Sequence, residues 1–149
     1  MFAFLRRGIA WRRGNARRSI EGLWSSEAFE QQLRKERART DRGAGSFTLL
    51  ALRIDAPPDS EAFLQAAWVL SALLNQRTRF IDTKGWFGDR IGVIFPNTPS
   101  ASVVHIWPPI KEAFDQRSHS ASAERSPLPT VTFEVYAYPE EELTGAPRG

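Results

Sequence analysis

Two aspartates are the residues of this chain whose types and placing best suit chemistry. Asp55 closes the apolar run Phe47-Thr-Leu-Leu-Ala-Leu-Arg-Ile54. Asp89 sits in Lys84-Gly-Trp-Phe-Gly-Asp-Arg-Ile-Gly-Val-Ile-Phe95, a glycine-rich turn between two strand-like runs. A hard divalent cation that assists phosphoryl or nucleotidyl transfer needs acidic oxygens converging from adjacent elements. Asp55 and Asp89 are the only candidates for such a pair. A second constellation, Arg79-x-x-Asp82, lies just upstream. At a helix-to-strand junction such a pair also arises as a surface ion pair of little energetic weight.

Other chemistries are thinly supplied. The two histidines, His105 and His119, have no second ligand at i+3 or i+4, which argues against zinc. No Gly-x-Ser-x-Gly, phosphate-loop or dinucleotide fingerprint is present. The absence of cysteine removes disulfides, thiolate metal sites and a cysteine nucleophile, and fits a reducing compartment. No cofactor is expected.

Helical and strand periodicities position these residues. Ser25 or Ser26 caps a helix beginning at Glu27 and running to about Asp41, stopped by Gly43-Ala-Gly45. Its apolar stripe, Phe29 and Leu33, is narrow enough to suggest a surface or inter-subunit helix. Phe47–Ile54 reads as a central strand buried on both faces. Ser60 caps a helix with Phe63, Ala66, Ala67, Leu70, Leu73 and Leu74 at helical spacing to about Gln76. Arg79–Lys84 and Arg90–Phe95 pair as a hairpin, with Trp86-Phe87 in its turn. Apolar residues at a hairpin tip would mark an interface. Thr98 caps and Pro99 opens a helix with Val103, Val104, Trp107, Ile110 and Phe114 on one face, kinked or restarted at Pro108-Pro109. Residues 117–129 form a serine-rich loop, and Thr130–Tyr138 alternates as the last strand. Trp68, Trp86, Phe87 and Trp107 read first as core or subunit contacts and second as a stacking surface, with Trp86-Phe87 in the turn as the exception.

The order β-α-β-β-α-β after a leading N-terminal helix predicts an α+β, ferredoxin-like fold. Its four-stranded antiparallel sheet carries helices on one face and sets the first strand beside the third. That would let Asp55 approach Asp89. The length suits one domain, residues 25–139, between a basic arm (1–24) and an acidic, frayed tail (140–149). No run of about 18 apolar residues exists to cross a membrane.

Charge is unevenly spread. Residues 1–18 hold six arginines, Arg6, Arg7, Arg12, Arg13, Arg17 and Arg18, and no acid, while the other 131 residues net −3. The arm reads first as a solvated tail. With Phe2, Phe4, Leu5, Ile9 and Trp11 interleaved, anionic lipid is the next reading and nucleic acid the third.

Helix, then Arg53-Ile-Asp55, then helix, then Arg79-x-x-Asp82 and Phe87-Gly88-Asp89-Arg90-Ile91 running into Gly-Val-Ile-Phe, resembles a GGDEF domain, the diguanylate cyclase member of the nucleotidyl-cyclase fold. The resemblance spans roughly residues 27–139. It implies that Phe87–Ile91 stands at the Gly-Gly-Asp/Glu-Glu-Phe signature, and that Arg79-x-x-Asp82 matches the motif whose arginine grips phosphate and whose carboxylate meets guanine in cyclic di-GMP. That spacing is one residue short.

The departures define the expectation. Where the family has a metal-ligating acid two residues before Asp55, this chain has Arg53; in the signature, Phe87 replaces the first glycine and Arg90 the second acid. Ala56-Pro-Pro-Asp-Ser60 leaves no room for the family's substrate-reading helix. The resemblance thus implies a degenerate domain without catalytic residues and without a metal, acting on a protein partner or as a homodimer. Its relatives in surface-polysaccharide assembly imply a place in exopolysaccharide synthesis, in the cytoplasm with the arm at the inner face of the membrane. A cyclic di-GMP receptor using Arg79 and Asp82 is the alternative. A nucleic-acid-binding ferredoxin-like domain is a second alternative, opposed by the net acidic domain and by a first strand with no central aromatic.

Overall fold

The structure, a computed structural model, describes residues 20–120 and 127–139. The basic arm with Arg6, Arg7, Trp11, Arg12 and Arg13, and the acidic tail, lie outside the described residues. Helix α1 spans Ser26–Asp41, strand β1 Phe47–Ile54, helix α2 Glu61–Arg77, strand β2 Thr83–Phe87 and strand β3 Arg90–Pro96. Helices α3, Ser100–Val104, and α4, Trp107–Ser120, then lead to strand β4, Val131–Tyr138. The sheet is antiparallel throughout in the order β2-β3-β1-β4, the ferredoxin-like arrangement expected.

Alternation along the strands builds two cores. Leu50, Leu52 and Ile54 of β1 and Ile91, Val93 and Phe95 of β3 face α2 and α4, meeting Phe63, Leu70, Leu74, Ile110 and Phe114. Phe47, Leu49 and Ile94 face the other way and form a smaller cluster with Phe29 of α1. The narrow stripe of α1 is therefore not a free surface. Phe29 is fully buried against the sheet's own second face. It fits because Gly85 and Gly92 pair across β2 and β3 beneath it. A Cβ on Gly92 would come 2.6 Å from the Phe29 ring, and one on Gly85 2.8 Å from it.

Several boundaries move, each for a physical reason. Strand β2 begins at Thr83 rather than Arg79, because Arg79–Asp82 closes a turn with the Asp82 N–H donating to the Arg79 carbonyl at 3.0 Å. The strand then continues through Trp86 and Phe87, so the hairpin turn is only Gly88-Asp89. Gly88 takes φ 63° there, a conformation glycine adopts without steric cost. Trp86 is core, not a tip: it is buried and stacks on Phe63 with ring centroids 5.7 Å apart. Trp107 is also buried, whereas Trp68 is 58% exposed.

Thr98 does not cap a helix. Its hydroxyl donates to the Pro96 carbonyl at 2.9 Å, and α3 starts after Pro99 with no side-chain cap. The chain restarts as α4 at Trp107, which places Pro108-Pro109 in a first turn whose missing N–H groups cost nothing. Val104 stays exposed. Helix α4 carries on through Arg117 to Ser120, where a loop was expected, and the Ser118 hydroxyl accepts from the Leu128 N–H at 2.8 Å.

The packed chain begins before residue 25. Ile20 and Leu23 are buried in the larger core, and the Ser71 hydroxyl donates to the Glu21 carbonyl at 2.5 Å. Trp24 bridges to the outer edge of β2, its N–H donating to Lys84 O at 2.9 Å and its carbonyl accepting from Trp86 N–H at 3.0 Å. That contact covers part of an otherwise bare edge strand.

Candidate functional site

The pairing of β1 with β3 brings the end of one strand to the start of the other, so Asp55 and the Gly88-Asp89 turn lie at one end of the sheet. Both aspartates are exposed. The Asp55 N–H donates to the Thr130 carbonyl at 2.8 Å, which anchors the strand end to β4. The topology thus brings the two elements together as the sequence implied.

The residues around them are cationic. Arg53 is exposed on the second face, opposite Thr132 of β4 and one pair beyond Leu52–Ile91. Arg90 opens β3 on the same face. Its guanidinium lies 4.8 Å above the Phe87 ring, 3.6 Å from the Glu134 carboxylate and 3.4 Å from the Tyr136 hydroxyl. The Tyr136 hydroxyl also donates to Glu134. Arg90 is therefore a tie between the hairpin and β4. Two aspartates at strand ends that also carry two arginines are a poor donor set for a hard divalent cation, which collects oxygens. Among the described residues no group of three or more His, Cys, Asp or Glu converges as a metal site.

Glu134 and Tyr136 were missed from sequence. The signal existed: the alternation of β4 sets Thr132, Glu134 and Tyr136 on one face, opposite the face of Phe133 and Val135.

The Arg79-x-x-Asp82 pair forms a second arrangement. The Asp82 carboxylate accepts from the Arg79 backbone N–H at 2.7 Å and from its guanidinium at 3.1 Å. The same guanidinium donates to the Thr98 hydroxyl at 2.8 Å. The Asp82 side chain is 1% exposed and that of Arg79 55%. The carboxylate is thus turned inward, while the guanidinium keeps an open side. Nearby, Lys84 donates to the Asn75 side chain at 3.2 Å and to the Thr78 hydroxyl at 3.1 Å. Burial holds its amine below the usual lysine value, and the neighbouring Asp82 charge partly opposes that shift.

Both histidines are exposed, His105 at the end of α3 and His119 near the end of α4, where its ring Nδ1 lies 2.7 Å from the Asp115 carbonyl.

No protein-family model matches the sequence, and no curated protein matches it as a relative. Solved structures match the fold. The diguanylate cyclase SiaD of Pseudomonas aeruginosa, solved with its activator SiaC, superposes with a TM-score of 0.65 at 16% identity. That match covers 95% of this chain and 56% of SiaD, so the chain spans little more than half of that protein. The GGDEF domain of DgcB from Caulobacter crescentus, solved with c-di-GMP, gives 0.62 at 16% identity, over 80% of this chain and 74% of that one. The FimX GGDEF domain from Pseudomonas aeruginosa gives 0.66 at 12% identity, over 85% and 81%. With the leading helix, the β2-β3-β1-β4 sheet and the Gly88-Asp89 hairpin set beside the end of β1, the chain carries the fold of a GGDEF domain.

Proposed function

We propose that this chain is a degenerate GGDEF-like domain that does not cyclise nucleotides and works as a regulatory or protein-interaction module. The observation that carries the reading is the pair Arg53 and Arg90, which stand on one sheet face at the strand ends that lead to Asp55 and from Asp89. A cation at those positions repels the metal that nucleotidyl transfer between two triphosphates requires. The test is incubation of the purified chain with GTP and magnesium, followed by chromatography for a cyclic dinucleotide. No product is expected, and sustained turnover would overturn the reading.

The structural neighbours indicate partner classes. SiaD is solved with an activator protein, which favours a protein partner here as well. DgcB is solved with c-di-GMP, and the open side of the Arg79 guanidinium supports a cyclic di-GMP receptor as the second reading. Against it stands Asp82, whose carboxylate is buried and already held by Arg79. Isothermal titration with cyclic di-GMP separates the two, since the receptor reading requires heat that Arg79→Ala abolishes. A nucleic-acid role is disfavoured because α1 lies over β2 and β3 on the face that RNA-recognition modules leave open.

Homodimerisation, a role beside exopolysaccharide synthesis and a position at the inner face of a membrane belong to the same proposal. They rest on the resemblance and on the composition of the arm. Among the described residues no helix is long and apolar enough to cross a membrane.

A further inference from the structure

The turn joining α2 to β2 breaks the ordinary rules of surface chemistry. Central turn positions favour glycine, asparagine, aspartate or proline. Here they hold Phe80 and Ile81, 103% and 56% exposed. Neither side chain covers a core. The turn is nevertheless well built: the Asp82 N–H donates to the Arg79 carbonyl, and the Asp82 carboxylate returns two bonds to Arg79. The guanidinium then fastens to the Thr98 hydroxyl, two residues beyond β3. Two large apolar groups are thus held out on a fixed platform, so little ordering is left to lose on binding.

The charge around this tip decides what it fits. Residues 75–84 carry Arg77, Arg79 and Lys84 against the single acid Asp82. Arg77 is exposed in the last turn of α2, and the side chain of Arg79 is half exposed. The Asp82 charge faces inward onto Arg79. What the tip shows outward is therefore apolar at its point and cationic at its base. An apolar pocket on a protein would suit the point but has no need of the cations. An anionic bilayer suits both, with acyl chains for the point and phosphates for the guanidinium groups.

We propose that Phe80-Ile81 is a membrane wedge, which enters the interface of an anionic bilayer while Arg77 and Arg79 lie on the headgroup phosphates. The wedge is independent of whether the domain is catalytic.

The absence of cysteine from the chain makes the test clean. Phe80→Cys in the full chain takes a single nitrobenzoxadiazole label, leaving Ile81 and the arginines in place. Vesicles of phosphatidylcholine with phosphatidylglycerol should shift its emission to the blue and brighten it; pure phosphatidylcholine should do neither. In parallel, the unlabelled Phe80→Ser, Ile81→Ser double variant should lose roughly tenfold in co-sedimentation with the anionic vesicles, with an unchanged circular dichroism spectrum. Sedimentation without any spectral shift would mean that another segment binds, and would overturn the wedge. A blue shift that grows with protein concentration in the absence of vesicles would assign the tip to a second copy and overturn it too. No association with either vesicle would end the proposal.

Discussion

Asp82 is bound twice by one residue: its carboxylate accepts the Arg79 backbone N–H at 2.7 Å and the Arg79 guanidinium at 3.1 Å. Removing the carboxylate leaves the Arg79 backbone N–H without its partner, while the half-exposed guanidinium turns to water. Asp82→Ala should therefore cost about 1 kcal/mol, the usual net worth of such a hydrogen bond. Arg79→Lys should also destabilise, because an ammonium cannot hold Asp82 and Thr98 in one fork. Urea unfolding in the absence of any nucleotide measures both. An Asp82→Ala chain as stable as the parent would mean that the pair is free to serve a ligand.

Phe29 and Gly92 have a lock-like fit, and it predicts a sharp intolerance. A methyl on Gly92 would lie 2.6 Å from the Phe29 ring, so Gly92→Ala should destabilise by about 1–3 kcal/mol through overpacking. Phe29→Ala should cost about 3–5 kcal/mol through the cavity it leaves. Combining Gly92→Ala with Phe29→Leu should cost less than the sum of the singles, because the smaller side chain vacates the space the methyl needs. Additive costs in denaturant titrations would show that α1 is not seated on the sheet in this way.

This pair also explains which parts of the fold were legible in the sequence. Strand β1 and helix α2 announce themselves because each carries its apolar residues at its own period, with Ser60 capping the helix through a bond from the Phe63 N–H. The strand order follows from those elements and from the handedness of crossovers. The docking of α1 does not, since one phenylalanine among polar neighbours looks like a surface stripe until Gly85 and Gly92 are known to be cross-strand partners. Trp86 failed for a related reason: its place in a turn or a strand depended on where β2 begins, and a side-chain staple at Asp82 sets that. Within the candidate site, Arg53 and Arg90 stood out as charge reversals. The bond of Arg90 to Glu134 spans 44 residues and needed the register of β4.

Carboxylates placed at positions 53 and 90 should not create a metal site. Arg53 is exposed and has no salt bridge among the described residues, so Arg53→Asp should change stability by no more than about 0.5 kcal/mol. Arg90 is different, because it stacks on Phe87 and reaches Glu134 and Tyr136 across the sheet. Arg90→Ala should cost about 1 kcal/mol and loosen the start of β3. The double variant Arg53→Asp, Arg90→Glu should still give no cyclic dinucleotide from GTP and magnesium, since the six-residue link 55–60 between β1 and α2 supplies no helix to read the base. Product from the double variant would show that the short link is no bar to cyclisation.

Lys84 gives the chain a testable alkaline signature. Its amine is held below the ordinary value of 10.5 by burial, against the pull of Asp82. A lysine with a lowered folded-state value binds its proton less tightly folded than unfolded, so the charged form weakens the fold. That penalty is fully present below the folded value and fades as pH rises through it towards 10.5, where the unfolded chain also sheds its proton. Lys84→Met removes the titration while keeping much of the stem. The stability of the parent relative to Lys84→Met should therefore rise as pH is raised from neutral towards 10.5, in paired denaturant titrations. A difference flat with pH would mean that the bonds to Asn75 and Thr78 compensate the burial of the amine in full.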